Sequence, residues 1–197
     1  MERRMSVTTQ RLTLAAYLAY DDGSDGRYEL VNGALLPMSW GTGRHGAIIK
    51  RLERVLDDEI ERLQQPWIAL AGTVGLQSPR GDVWNTVRIP DVTVLTQTQW
   101  ESLQEREAVI RLNEPPPLLV VEVVSESTKS TDYRAKRAEY SVLDILEYWI
   151  VDPLKEKVTV CTLLEGWYES VEYSGKEMIT SSTLSGLNLT VEQVLQG

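Results

Sequence analysis

The chain has 197 residues, with 20 Lys+Arg against 29 Asp+Glu and a formal net charge of −9. That length supports one domain with a sizeable core, and the acidic balance argues against a broad surface that coats nucleic acid without specificity. One cysteine, Cys161, and one histidine, His45, exclude an intramolecular disulfide and a Cys/His zinc site.

Taken in chain order, Leu12–Tyr20 reads as a short helix, since Leu14, Tyr17 and Leu18 share a face and Asp21-Asp22-Gly23 ends it. Arg27–Val31 and Ala34–Leu36 flank Asn32-Gly33, the signature of a hairpin with a type I′ turn. Within it Glu29 alternates with Tyr28 and Leu30, so it faces the other way. Gly41-Thr42-Gly43-Arg44-His45-Gly46 then precedes a helix expected over Ala47–Leu63, with Ile48, Leu52, Val55, Leu56, Ile60 and Leu63 as its apolar stripe. The glycines match the GxGxxG spacing, but a hairpin precedes them and the next strand, Trp67–Leu76, ends without an acid, so a dinucleotide fingerprint is discounted. His45 reads as a capping or packing residue, with phosphate contact as the alternative. Turn residues Ser78, Pro79, Gly81 and Asp82 lead into Val87–Leu95, where Ile89, Asp91 and Thr93 point one way and Pro90, Val92 and Val94 the other. Pro90 puts Asp91 at a strand start, edge or bulge. Gln99–Arg111 is read as a polar helix or loop, and Asn113–Pro117 as an extended lead-in.

Leu118–Val124 is an apolar run of strand length carrying one acid, Glu122. After a Ser/Thr turn, Tyr133, Ala135, Ala138, Tyr140 and Leu143 predict a helix over Asp132–Leu143, and Tyr148–Val151 a second buried strand that stops at Asp152-Pro153. Strand, helix and strand in this span predict a βαβ crossover. Burying even a neutral polar group costs roughly 2 to 7 kcal/mol without a partner. Glu122 therefore needs a cation: a basic side chain or helix N-terminus on one reading, a metal on the other. Further on, Lys157–Leu163 and Trp167–Tyr173 predict an antiparallel pair joined through Glu165-Gly166, and Thr190 with Gln193 a capping box for a last helix. Glu147 and Asp152 read as strand-end and turn residues. No stretch approaches the roughly 18 apolar residues of a membrane span, and Met1–Gln10 has arginines but no apolar region behind them. A reducing, cytoplasmic location is expected.

The order helix, strands, Pro90-Asp91, strand with Glu122, helix with Lys136, strand resembles the PD-(D/E)XK nuclease fold. More narrowly, Tyr28–Gly33, Ile89–Val92, Val121–Ser125, Asp132 with Lys136 and Tyr140, and Glu147–Pro153 resemble the Uma-type family of restriction-endonuclease-like proteins along nearly the whole chain. The resemblance implies an α/β fold with a mixed central sheet flanked by helices. It is expected as a single domain over 1–197, its core at about 27–163 and the terminal helix and strands as additions.

The chemistry this implies is phosphodiester hydrolysis in DNA, with Asp91 and Glu122 as hard ligands for Mg²⁺ or Mn²⁺ and the Val123 carbonyl as a third donor. The superfamily pattern places a lysine two residues after the second acid, where this chain has Val124. Lys136 is the substitute that the resemblance implies, reaching in from the following helix, and Lys129 is the second candidate. The competing reading of Lys136 is a surface ion pair with Asp132, of about 0.2–0.5 kcal/mol. Glu29 matches an acid that the family likeness places near the metal; otherwise it is a hairpin surface charge. Ser125 reads as a helix cap or a partner for a metal-bound water. Arg44, Lys50, Arg51, Arg54, Lys129, Arg134 and Arg137 form a phosphate-binding rim or ordinary solvated helix faces. The family likeness also implies a homodimer. The alternatives are a nuclease-fold module that binds nucleic acid or a protein without cutting, and a hydrolase of small phosphate esters.

Overall fold

The computed structural model describes residues 11–23, 26–38, 41–79, 85–126 and 128–196. The N-terminal decapeptide and the turn residues Gly81 and Asp82 lie outside them. In chain order the elements are α1 (Leu14–Leu18), β1 (Tyr28–Val31), β2 (Ala34–Pro37), α2 (Gly43–Arg62), β3 (Trp67–Ala71), β4 (Gly75–Gln77), β5 (Val87–Arg88), β6 (Val92–Thr96), α3 (Gln97–Leu103), β7 (Val109–Ile110) and β8 (Leu119–Val123). A π-helical turn, Thr131–Lys136, then runs into α4 (Arg137–Val142), followed by β9 (Glu147–Asp152), β10 (Lys157–Leu164), β11 (Trp167–Ser174) and α5 (Val191–Leu195).

The strands form two mixed sheets. Six run in the order β11-β10-β9-β8-β6-β3, and five in the order β2-β1-β5-β4-β7. In the larger sheet β8 and β9 are parallel, as the crossover predicts, and the other pairs are antiparallel. Alternation along β8 divides the core. Val121 and Val123 join Ile48, Leu52, Leu56 and Ile60 of α2 on one face, while Val120 and the following Val124 join Tyr140 and Tyr148 on the other. Both faces are closed, which is why the strand reads as continuously apolar. The stripe of α2 lies four residues apart at each step, and its polar flank is also used: Asp57 and Glu53 accept hydrogen bonds at 2.8 Å from the amides of Ala69 and Ala71. These are edge amides of β3, so α2 covers that edge against stray pairing.

Three expectations need correction. The strand expected over Trp67–Leu76 is two strands in different sheets, because Gly72 at φ +51° turns the chain between them. The smaller sheet itself was not foreseen; β4, β5 and β7 have two or three residues each, too few to show a period. The helix expected over Asp132–Leu143 opens as a π-helical turn, and both members of the Asp132–Lys136 pair are buried within it, not on the surface. The hairpin forms as expected, with Asn32 at φ 52° and Gly33 at φ 79°, and so do the β10–β11 pair and the Thr190 capping box.

Candidate active site

Antiparallel pairing of β6 with β8 sets Val92 opposite Val121, and the same register carried one step further sets Asp91 opposite Glu122. Pro90 lacks an amide hydrogen and keeps β6 from beginning earlier, so Asp91 sits just beyond the ladder with its side chain redirected. Its Oδ2 accepts the Val123 amide at 2.7 Å. The His45 ring, from the first turn of α2, lies 3.6 Å from the same oxygen and 2.9 Å from the Val123 carbonyl. The histidine read as a packing residue thus touches two of the three expected metal donors.

Glu122 is 3% exposed. Tyr140 donates its hydroxyl to Oε1 at 2.6 Å, and the Lys136 ammonium lies 2.7 Å from Oε2. Asp132 Oδ1 is 3.3 Å from the same ammonium and Glu29 Oε1 is 3.9 Å away. Glu29 reaches this point because β1 pairs with β5, where Leu30 faces Val87; its carboxylate accepts from the Ile89 amide at 3.1 Å and from Arg88 Nη1 at 3.0 Å. Glu29, Asp91, Glu122 and Lys136 therefore converge. Lys129 does not join them: its side chain is exposed at the start of the helical segment. The Ser125 carbonyl accepts from the Thr128 and Lys129 amides in the turn that enters that segment. Arg137 of the expected rim bonds the Tyr168 carbonyl at 2.8 Å, while Arg44, Lys50, Arg54 and Arg134 are exposed.

The centre holds more negative than positive charge. Burial pushes Glu122 up to about 8; the Lys136 ammonium opposes this, and the charges of Asp91 and Asp132 add to it. Burial raises Asp91 and Asp132 as well, against the Val123 amide, His45 and Lys136 for the former and chiefly Lys136 for the latter. Burial works against the Lys136 ammonium, yet Glu122, Glu29 and Asp132 together overcome it and raise its pKa. One ammonium shared among several buried carboxylates leaves the centre short of positive charge.

Arg88 and its partner Glu139 were not foreseen at the site. Arg88, 2% exposed, grips Glu139 with Nε and Nη2 at 2.8 and 3.0 Å while its Nη1 holds Glu29. Burial disfavours the guanidinium, but Glu139 and Glu29 outweigh it and raise its pKa. A basic residue in an apolar run, Val87-Arg88-Ile89, is the sequence signal that could have marked it. Glu147, read as a strand-end charge, is fully buried and accepts from Trp149 Nε1, the Ser182 amide and hydroxyl, and the Thr183 amide. It ties the segment before α5 to the sheet. Asp152 does serve its turn, accepting from the Leu154 and Lys155 amides.

Among the described residues no three or more His, Cys, Asp or Glu side chains are grouped to hold a metal ion. The expected donors, the Asp91 and Glu122 carboxylates and the Val123 carbonyl, are all hard oxygens, although both Glu122 oxygens have partners in Tyr140 and Lys136. Such a set suits a Mg²⁺-like ion that keeps several waters rather than an all-protein cage.

Residues 14–192 match the family Uma2, described as "Putative restriction endonuclease". Among solved structures, one described as a putative nuclease belonging to DUF820 from Anabaena variabilis ATCC 29413 aligns with a TM-score of 0.74 at 16% identity, covering 93% of this chain and 97% of that one. No curated protein sequence matches the chain. The match takes in nearly the whole chain and its fold is that of the solved nuclease-like protein: the chain belongs to the Uma2 family of restriction-endonuclease-like proteins.

Proposed function

We propose that the protein is a Mg²⁺- or Mn²⁺-dependent endodeoxyribonuclease that works as a homodimer in the reducing cytoplasm. The observation that carries this reading is the gathering of Glu29 and Glu122 around the Lys136 ammonium, with Asp91 bonded to the Val123 amide next to Glu122. Asp91, Glu122 and the Val123 carbonyl hold the ion, which supplies charge neutralisation on a phosphate oxygen and an activated water. Lys136 is held as an ammonium by its acidic neighbours, so it offsets negative charge developing on the phosphate and does not accept a proton near neutrality. Glu29 stands 3.9 Å from the Lys136 ammonium, and Arg88 fixes Glu29. Two sites in a dimer match two strands of a duplex. The buried free thiol of Cys161 fits a reducing compartment.

Nicking of supercoiled plasmid in Mg²⁺ or Mn²⁺ tests the reading. Wild type should nick, and Asp91→Ala and Glu122→Ala should not. Wild-type activity no greater than that of both variants across a range of salt contradicts it. One observation favours a second reading, a module that binds DNA without cutting it: both Glu122 oxygens already have partners, Tyr140 and Lys136. In that case a gel shift persists while nicking is absent.

A further inference from the structure

Next to the acidic centre lies a groove of about 600 Å³ that the proposed chemistry leaves unused. Its charged lining comes from four parts of the chain: Arg44 from the first turn of α2, Lys155 and Glu156 from the β9–β10 turn, Lys176 just after β11, and Glu192 of α5. The sheet register explains the meeting. Val123 pairs with Val151, while Lys157 pairs with both Asp152 and Ser174. The end of β8 that carries Glu122, the β9–β10 turn and the end of β11 therefore lie along one end of the larger sheet. Arg44 directly precedes His45, whose ring touches the Val123 carbonyl and Asp91, so the groove and the centre share a wall.

The charge of the groove is unlike that of the chain. Arg88, Arg62, Arg106, Lys136 and Lys157 each have a carboxylate partner, whereas Arg44, Lys155 and Lys176 have none within 4.0 Å among the described residues. All three are exposed. Lys155 Nζ stands 5.1 Å from the centre of the Tyr133 ring, a cation–π contact that orients the head without neutralising it. Even with Glu156 and Glu192 counted, the groove keeps an excess of positive charge in a chain of net −9. Exposed cations without a carboxylate partner fit a sequence-independent contact to phosphate.

We propose that this groove seats backbone phosphates of the nucleic-acid strand on one side of the bond held at Asp91 and Glu122. The proposal rests on the nuclease reading. It makes affinity, rather than the chemical step, the property that Arg44, Lys155 and Lys176 control.

Fluorescence anisotropy with a short fluorescein-labelled duplex, in Ca²⁺ to prevent cleavage, tests it at several salt concentrations. Lys155→Glu and Lys176→Glu should each weaken binding about fivefold or more and lower the salt slope by about one. Arg111→Glu, an equal charge change at an exposed position outside the groove, should do much less. Equal losses in all three variants, or none, with wild type still nicking plasmid, overturn the groove and leave the nuclease reading standing. A wild type that neither binds nor nicks DNA overturns both. Calorimetry with inorganic phosphate separates the remaining source: phosphate binding abolished by the groove variants while duplex affinity is untouched assigns the groove to a free anion, and also overturns the proposal.

Discussion

Around the Lys136 ammonium stand Glu122 at 2.7 Å, Asp132 at 3.3 Å and Glu29 at 3.9 Å, and Asp91 adds its charge to the same neighbourhood. Removing the ammonium with Lys136→Met leaves buried carboxylates unpaired and should destabilise the fold by ~3–5 kcal/mol in urea denaturation at neutral pH. A loss below ~1 kcal/mol contradicts the assignment of Lys136 as their counter-charge. Glu122 gives the opposite test. Its folded pKa of about 8 exceeds the ordinary 4.5, so the folded state holds this proton more tightly than the unfolded chain does. The stability it contributes is whole below pH 4.5 and is lost as pH rises through about 8. Wild type should therefore lose stability relative to Glu122→Gln across that window, and a difference that does not change with pH refutes the raised pKa. Arg88→Met, which strands Glu29 and Glu139 together, should cost ~3–5 kcal/mol in the same assay.

At the scale of elements, the β1–β2 hairpin is what delivers Glu29. Gly33 holds φ +79°, and a Cβ there would sit 2.6 Å from Arg11 Cβ, so the turn admits no side chain without displacing its neighbour. Gly33→Ala should destabilise by at least ~1–2 kcal/mol, the cost of a left-handed residue alone, read as a lower urea midpoint. An unchanged midpoint means that the hairpin is not fixed by this turn. The elements with periods of their own were legible in the sequence: the Asn32-Gly33 hairpin, the α2 stripe, the β8–α4–β9 crossover. Glu122 stood out because a charge in an apolar strand demands a partner, and Asp91 because proline precedes it. Lys136, the partner of Glu122, was named through the family resemblance, and not by the spacing of the strand itself. Tyr140 lies 18 residues from Glu122, and Glu139 lies 51 from Arg88; the second pairing depends on the smaller sheet, whose strands are too short to leave a pattern. His45 reads as a capping or packing residue because its contact with Val123 spans 78 residues, beyond the reach of any local pattern.

For the whole molecule, the net charge of −9 and the proposed DNA substrate pull in opposite directions. The arrangement resolves this by concentrating acids where a divalent ion would neutralise them and unpaired cations beside them. Among the described residues no helix is long and apolar enough to cross a membrane. If two strands are cut in concert, sedimentation velocity at micromolar protein should return a dimer; a monomer that linearises plasmid directly contradicts the two-site picture. The claim beneath all of this is that Asp91 and Glu122 share one divalent ion. Calorimetric titration of Mn²⁺ into metal-free protein measures that directly. The account predicts saturable binding to wild type, weakened at least about tenfold by Asp91→Asn and by Glu122→Gln. Binding that is absent, or that survives both substitutions, contradicts it.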